Sequence, residues 1–155
     1  KIILPGVGSF KDAMKELKSK NFIQAIVNYK KPMLGICLGM QILSTLGVEF
    51  GRTKGLNIID AKVCLIKIDG VIPHLGFNTI NVLKTNEILK GLENEEFYFM
   101  HSYEVITDNF ITSTTKYMNY SFVSSIQKGN AYGVQFHPEK SRDAGIKLFN
   151  NFIKL

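Results

Sequence analysis

Residues 33–47 have the sequence MLGICLGMQILSTLG, in which an apolar run leads into a cysteine that stands between two glycines. Met33–Ile36 is short and apolar, which is typical of a buried strand. Leu38–Leu46 has helical character, and Gly47 is suited to end that helix. The segment therefore predicts a strand, a sharp turn at Cys37 and a helix that ends at Gly47.

The elements around this segment alternate in type. Ile2–Leu4 predicts a buried strand, and apolar residues at helical spacing predict helices from Phe10 to Leu17 and over about Phe22 to Tyr29. From Asp60 onward the period changes to two, which predicts strands. These strands cover Val63 and Leu65, Phe77 and Thr79, Phe97–Val105, Ile111–Thr115, Phe122–Ile126 and Tyr132–Phe136.

The last two strands are joined at Lys128-Gly129-Asn130, which predicts a hairpin turn. Ser141 is placed to cap a final amphipathic helix that carries Leu148 and Phe152. We therefore expect one α/β domain over residues 1–155, with a mostly parallel central sheet flanked by helices and an antiparallel extension.

Composition narrows the class of function. Seventeen lysines and two arginines against 13 acidic residues give a net charge of +6, but the lysines are dispersed rather than clustered, so nucleic-acid binding is not favoured. No apolar run approaches the roughly 18 residues that a membrane span needs, and the N-terminal residues lack the charged, apolar and small-residue segments of a signal peptide. The two cysteines, Cys37 and Cys64, form no Cys-x-x-Cys pair. A cytoplasmic protein without membrane contact is expected.

Gly35-Ile36-Cys37-Leu38-Gly39 has the form of a nucleophile elbow with cysteine in the central place. Flanking glycines relieve crowding where the strand and the helix approach each other. N–H groups at the start of the helix would favour a thiolate and offer a donor to a developing oxyanion. The alternative is a small buried cysteine at the end of a strand.

A cysteine nucleophile needs a base, and the chain has three histidines, His74, His101 and His137. The strand Tyr132–Phe136 delivers His137 to its end, where Pro138 stops the ladder. Glu139 lies two residues further on and can orient the imidazole. Cys37, His137 and Glu139 are therefore a candidate catalytic triad, although His-Pro-Glu alone also suits an ordinary turn. We expect His74 and His101 to support local hydrogen bonding.

The two motifs, Gly35–Gln41 and Gly133–Glu139, together resemble the class I (triad) glutamine amidotransferases, which have a flavodoxin-like α/β fold. Within that class, Pro73–Asn78, Phe99–Tyr103 and Leu4–Phe10 are similar to the HisH-type glutaminase subunit of imidazole glycerol phosphate synthase. The resemblance implies hydrolysis of L-glutamine and transfer of ammonia to a cyclase subunit in a heterodimer of histidine biosynthesis. No cofactor and no metal are expected.

The resemblance also implies the roles of individual residues. Cys37 would attack the glutamine carboxamide, His137 would protonate the leaving ammonia, and Glu139 would hold His137. The oxyanion hole would use the backbone of Leu38 and of Gly6 or Val7. Glutamine would be bound by Gly8, Gln41, Ser102 and Tyr103, and the synthase partner would face Tyr98 and Lys140.

Two departures from the family pattern affect this interpretation. The family's first strand, helix and strand have no counterpart before Lys1, and Ile2–Leu4 is typical of an interior parallel strand, so we expect residues 1–155 alone to be insoluble, aggregated or inactive. Phe77 stands where histidine-pathway subunits more usually carry Trp. An amidotransferase that serves sugar-nucleotide amidation in surface-polysaccharide synthesis is therefore an alternative. A catalytically silent regulatory subunit and a Cys–His peptidase are further ones.

Overall fold

A computed structural model describes residues 1–155, which form twelve strands, four helices and one 3-10 turn. The strands are β1 Ile2–Leu4, β2 Met33–Ile36, β3 Ser44–Gly47, β4 Thr53–Lys54, β5 Ile59–Leu65, β6 His74–Thr79, β7 Asn81–Val82, β8 Glu96–His101, β9 Tyr103–Ile106, β10 Ile111–Tyr117, β11 Tyr120–Lys128 and β12 Ala131–Val134. The helices are α1 Phe10–Ser19, α2 Phe22–Val27, α3 Leu38–Ile42 and α4 Arg142–Ile153, and the 3-10 turn is Pro138–Lys140.

The largest sheet has six strands in the order β1-β2-β12-β11-β10-β7. β2 lies between β1 and β12 and runs parallel to both, whereas β12, β11, β10 and β7 pair antiparallel. The expected α/β class is confirmed, and within this sheet parallel pairing is confined to β1, β2 and β12. The predicted hairpin is also confirmed, since Lys128 pairs with Ala131 across Gly129 and Asn130. β1 pairs only with β2, and Ile3 is 44% exposed.

Two smaller sheets accompany the large one. β4, β3, β5 and β9 form one of them, and β6 and β8 form the other. The predicted run Phe97–Val105 divides at Ser102, because β8 pairs with β6 whereas β9 pairs with β5. This division places Ser102 at a bend between two sheets and beside the strand-to-helix turn at Cys37.

The predicted helix over Leu38–Leu46 is wrong in its second half. Helix α3 ends at Ile42, and Ser44–Gly47 is instead strand β3, paired in parallel with β5 and antiparallel with β4. A Cβ atom on Gly47 would lie 2.6 Å from the ring of Phe10, so Gly47 is needed for packing against α1 and does not terminate a helix. Pairing with β5, which is distant in sequence, therefore overrides the local helical pattern.

Buried apolar side chains form two clusters, one on each face of the large sheet. Successive residues of β12 alternate between them, since Ala131 joins the cluster with α1, α2 and α3, and Tyr132 joins the cluster with α4. The two layers hold the ends of β2 and β12 in fixed positions. None of the helices is long and apolar enough to cross a membrane.

The final helix begins at Arg142, as expected, but Ser141 does not cap it with its side chain. Its hydroxyl instead donates to the carbonyl of His137 at 2.6 Å and accepts the backbone N–H of Tyr98 at 2.9 Å. The expected cap hydrogen bond is therefore wrong, because the same hydroxyl ties the His137 turn to β8. The backbone N–H of His137 strengthens that junction with a 2.8 Å bond to the Tyr98 carbonyl.

Candidate active site

Cys37 lies at the turn between β2 and α3 with φ 51° and ψ −109°, a conformation that costs an L-residue conformational energy. Its backbone N–H bonds to the Val134 carbonyl at 2.8 Å, so the neighbouring strand β12 helps to hold the turn. The side chain is only 7% exposed. A cysteine in strained backbone on a strand–helix elbow is the geometry that the motif predicted, whereas its burial also agrees with the alternative of a small buried cysteine.

The two glycines of the elbow are required by close backbone approach. A Cβ on Gly35 would lie 2.6 Å from the carbonyl oxygen of Gly39, and a Cβ on Gly39 would overlap the carbonyl oxygen of Leu4. Strand β2 and helix α3 therefore pack backbone to backbone beside the loop that follows β1. This confirms the predicted role of the glycines in relieving crowding.

The start of α3 acts on Cys37 as expected, because the Leu38 N–H lowers the pKa of the thiol, but burial outweighs this effect. Burial raises the pKa of the Cys37 thiol to about 11, although hydrogen bonds from the Leu38 backbone and the Gln135 side chain act to lower it. The negative charge of Glu139 raises this pKa further. The Sγ–H group points toward the Met100 carbonyl at 3.9 Å. The resting cysteine is therefore a neutral thiol.

His137 and Glu139 form the expected pair. His137 Nδ1 donates to Glu139 Oε1 at 2.7 Å, which leaves Nε2 with its lone pair as the possible proton acceptor. His137 is buried, and its Nε2 has no hydrogen-bond partner in the chain. Cys37 Sγ bonds to Met100 and Gln135 rather than to His137. The imidazole is thus oriented by Glu139, and its Nε2 is not engaged by another group of the chain.

A cavity of about 220 Å³ opens at Cys37. It contains seven of the residues that the sequence placed at the oxyanion hole, nucleophile or glutamine pocket, namely Val7, Gly8, Cys37, Leu38, Gln41, Ser102 and Tyr103. Gly6, His137 and Glu139 instead line an adjacent cavity of about 440 Å³, which shares Val7 with the first. The loop after β1 therefore separates the nucleophile's cavity from the one that contains the histidine–glutamate pair.

Gln41 lies in the cavity with its amide fixed. Its Nε2 donates to the Tyr103 carbonyl at 3.0 Å and to Gln135 Oε1 at 3.1 Å. Both amide hydrogens are used in this way, and Oε1 is left without a partner in the chain. Gln41 thus offers an acceptor, rather than a donor, to a molecule in the cavity.

Two residues of the site were missed in the sequence. Glu49 lines the Cys37 cavity and holds its carboxylate by accepting the Phe10 N–H at 2.7 Å. Gln135 is fully buried and donates from Nε2 to Cys37 Sγ at 3.6 Å. Glu49 follows the mispredicted helix and carries no local signal, whereas Gln135, two residues before His137, could have been found from its place in the second motif.

Tyr98 and Lys140, which were expected to face a partner, are adjacent on the outer surface. The Lys140 ammonium lies 5.6 Å from the centre of the Tyr98 ring. Phe77 joins them, with its ring 5.4 Å from that of Tyr98 and the Arg142 guanidinium 4.3 Å above it. This surface combines two aromatic rings with two cations.

His74 and His101 support local hydrogen bonding, as expected. Their ring nitrogens, His74 Nδ1 and His101 Nε2, are 3.4 Å apart, and His101 Nδ1 lies 2.9 Å from the Tyr103 carbonyl. Because a carbonyl only accepts, His101 Nδ1 carries the hydrogen, and its Nε2 accepts from His74. Burial lowers the pKa of His74 to about 4 and that of His101 to about 3, which keeps both imidazoles neutral.

Fold and site together define a class of α/β proteins in which a cysteine on a strand–helix elbow is accompanied by a histidine–glutamate pair. The chain belongs to the class I glutamine amidotransferase family, since the family model described as glutamine amidotransferase class-I matches residues 1–155. It is a glutamine amidotransferase. The family predicted from the Cys37 and His137 motifs is therefore confirmed.

Relatives with curated names agree with this family. The chain is 45% identical to imidazole glycerol phosphate synthase subunit HisH 1 of Campylobacter jejuni, over all of this chain and 81% of the relative. It is 47% identical to subunit HisH 2 of Methanococcus maripaludis, over 99% of this chain and 80% of the relative. The subunit HisH of Aquifex aeolicus is 44% identical over 97% of this chain and 75% of its own length.

Solved structures support the fold. A crystal structure of a glutamine amidotransferase is 16% identical with a TM-score of 0.71, and it covers 98% of this chain and 76% of its own. A glutamine amidotransferase of Thermotoga maritima is 20% identical with a TM-score of 0.65, over 99% of this chain and 61% of its own. At these identities the likeness shows the fold alone.

Proposed function

We propose that this chain is the glutaminase subunit of an imidazole glycerol phosphate synthase, which hydrolyses L-glutamine and passes ammonia to a cyclase subunit in histidine biosynthesis. The observation that carries the proposal is the likeness over 97% or more of the chain to three HisH subunits at 44–47% identity. The cysteine elbow, with its cavity of about 220 Å³, supports it. We assign residues 1–155 to one amidotransferase domain in the cytoplasm.

In the proposed reaction, Cys37 is the nucleophile and His137 the base. The Cys37 Sγ–H gives its proton to His137 Nε2 while the sulfur bonds to the carboxamide carbon of glutamine. His137 then returns that proton to the amide nitrogen, the C–N bond breaks, and ammonia leaves a glutamyl thioester. Water, deprotonated by the same imidazole, hydrolyses the thioester to glutamate and the free thiol. Glu139 stabilises the imidazolium through its 2.7 Å contact with Nδ1.

The oxyanion of the tetrahedral intermediate would be held by backbone N–H groups. The Leu38 N–H is already directed toward the Cys37 sulfur and lowers the pKa of the thiol. The second donor would be the N–H of Gly6 or Val7, in the loop between the two cavities. Preorganised donors of this kind are worth about 10²- to 10³-fold in rate.

Glutamine would lie in the cavity between Gly8, Gln41, Ser102 and Tyr103. The free Oε1 of Gln41 and the carboxylate of Glu49 are acceptors suited to the α-ammonium group of the substrate. The carboxamide would then extend toward Cys37. Glu49 is thus added to the binding residues that the sequence predicted.

The cyclase subunit would dock on the surface of Tyr98 and Lys140. Its two cations, Lys140 and Arg142, and its two aromatic rings, Tyr98 and Phe77, suit an acidic rim on the partner. Phe77, which is 38% exposed, also favours a second candidate, because it stands where histidine-pathway subunits more usually carry Trp. That candidate is an amidotransferase that supplies ammonia for sugar-nucleotide amidation.

The test is glutamate release from glutamine by the intact protein, alone and with its synthase partner. We expect Cys37→Ala to abolish release and Cys64→Ala, the matched control at the other free cysteine, to preserve it. Equal rates for the wild type and Cys37→Ala would refute the proposed catalysis. Stimulation by a histidine-pathway cyclase but not by a sugar-nucleotide synthase would decide between the two acceptors.

A further inference from the structure

A buried hydrogen-bonded chain runs from the Tyr103 carbonyl to the sulfur of Cys37. Gln41 Nε2 donates to the Tyr103 carbonyl at 3.0 Å and to Gln135 Oε1 at 3.1 Å, and Gln135 Nε2 lies 3.6 Å from Cys37 Sγ. Gln41 is 5% exposed and Gln135 is fully buried. The reaction proposed above does not use this series of hydrogen bonds.

The Tyr103 carbonyl fixes the donor-to-acceptor direction of these hydrogen bonds. A backbone carbonyl can only accept, so Gln41 must present its NH₂ group to Tyr103. The same NH₂ group faces Gln135, which must therefore present its oxygen to Gln41 and its own NH₂ group to the sulfur. The opposite orientation of the Gln135 amide would place two donors against each other. Cys37 thus faces a donor that cannot rotate into an acceptor.

The Tyr103 carbonyl is itself held in place. It also accepts the Nδ1–H of His101 at 2.9 Å, and His101 is backed by His74. In addition, Tyr103 is paired with Leu65 of β5, which anchors the backbone. The end of the chain opposite the sulfur is therefore rigid, and its polarity does not depend on a mobile group.

We propose that Gln135 is a further catalytic residue, whose fixed amide donor stabilises the Cys37 thiolate as it forms, and that Gln41 positions it. The inference rests on the proposed function, because it assigns a role in the attack of the same sulfur. A hydrogen bond from a neutral donor to an anion is stronger than one to a neutral thiol, so the contact favours the ionised state. Gln41 then connects the glutamine pocket to the nucleophile.

Other charged or titratable groups around Cys37 would remain in the variants that test this role. Glu139 and Lys140 act on the sulfur from the 3-10 turn, and Glu49, His101 and Tyr103 line the same cavity. Neither Gln135→Met nor Gln41→Met alters any of them. A change in thiol reactivity is then attributable to the lost donor.

The experiment measures the rate at which iodoacetamide alkylates Cys37 in the intact protein between pH 7 and 9, followed by peptide mass spectrometry. Losing one pKa unit of stabilisation lowers the thiolate fraction about tenfold, and the higher nucleophilicity of a more basic sulfur reduces the effect on rate to about threefold to tenfold. We expect that loss for Gln135→Met. Gln135→Glu, which has the same shape but places a carboxylate at the sulfur, should lose more.

Three comparisons make the result decisive. Alkylation of Cys64 in the same samples should be unchanged. Gln127→Met, at a glutamine whose side chain bonds only to the Gly129 carbonyl, should leave the Cys37 rate at the wild-type value. Gln41→Met should lower the Cys37 rate although Gln41 does not touch the sulfur. This variant and Gln135→Glu carry the test if Gln135→Met does not fold.

Cys37 rates within twofold of the wild type in folded Gln135 variants would overturn the inference, as would an equal fall at Cys64. Alkylation needs neither glutamine nor a synthase, so the two proposals fail separately. A protein that shows the expected rates but never releases glutamate would keep the role of Gln135 in thiol ionisation and refute the glutaminase assignment.

Discussion

The buried imidazoles of His74 and His101 should make the protein less stable as the pH falls below 6.5. Both imidazoles are at least 94% buried, and burial lowers their pKa values from 6.5 to about 4 for His74 and about 3 for His101. A group whose pKa is lower in the folded state binds protons preferentially in the unfolded state. Its contribution to stability is therefore complete above pH 6.5 and is lost as the pH falls toward the folded pKa.

A pH of 5 is about 1.5 units below the unfolded pKa of histidine and still above both folded pKa values. At 1.36 kcal/mol per pKa unit, each imidazole therefore lowers the free energy of unfolding by about 2 kcal/mol. The free energy of unfolding of the wild type should thus fall by about 4 kcal/mol between pH 7.5 and pH 5. The total free energy of unfolding of a domain is typically about 5–15 kcal/mol. His74→Phe removes one of the two imidazoles and should lose only about 2 kcal/mol.

Urea unfolding at pH 7.5 and pH 5, monitored by far-UV circular dichroism, measures these differences. Glu104, whose pKa is raised by burial, contributes the opposite pH dependence but is present in both proteins and cancels in the comparison. Tyr117→Phe is the matched control, because its ring stacks on His74 at 4.0 Å and the change removes no imidazole. Equal pH-dependent losses in the wild type and His74→Phe would refute the reasoning.

Three further outcomes are expected. Gly39→Ala should fail to yield stable protein in a thermal-unfolding assay, because its Cβ would overlap the Leu4 carbonyl oxygen. Gly129→Ala, at a hairpin position with φ 56° and open space, should lower the free energy of unfolding by only about 1 kcal/mol. Similar losses of stability in the two variants would contradict the close-packing argument. Glu139→Gln should lower kcat for glutamine about 10²-fold with little change in KM, since it weakens imidazolium stabilisation, and an unchanged kcat would exclude that role. Because the pKa of Cys37 is about 11, its alkylation rate should rise about tenfold per pH unit from pH 7 to 10 in the free subunit, and a plateau below pH 9 would show that the thiol is already ionised.

Features that depend on neighbouring residues could be predicted from the amino-acid sequence. The turn at Cys37 follows from a strand, two glycines and a helix start within a few positions, and the hairpin follows from Gly129 and Asn130. The His137–Glu139 contact joins residues two apart, so Pro138 and local geometry are sufficient to predict it. The class of fold and the family could be inferred for the same reason, because their motifs are contiguous.

Features that depend on contacts between distant residues could be seen only in the folded protein. Ser44–Gly47 is a strand because β5 pairs with it, and the Ser141 hydroxyl bonds to His137 and Tyr98 because β8 packs there. Gln135 stands in the second motif, but its contact with the sulfur of Cys37 joins residues 98 positions apart and could not be predicted from that motif. The neutral state of Cys37 is also tertiary in origin, since burial by surrounding elements outweighs the donors of its own turn. Local pattern fixes backbone preference, whereas burial and long-range pairing exist only once the chain has folded.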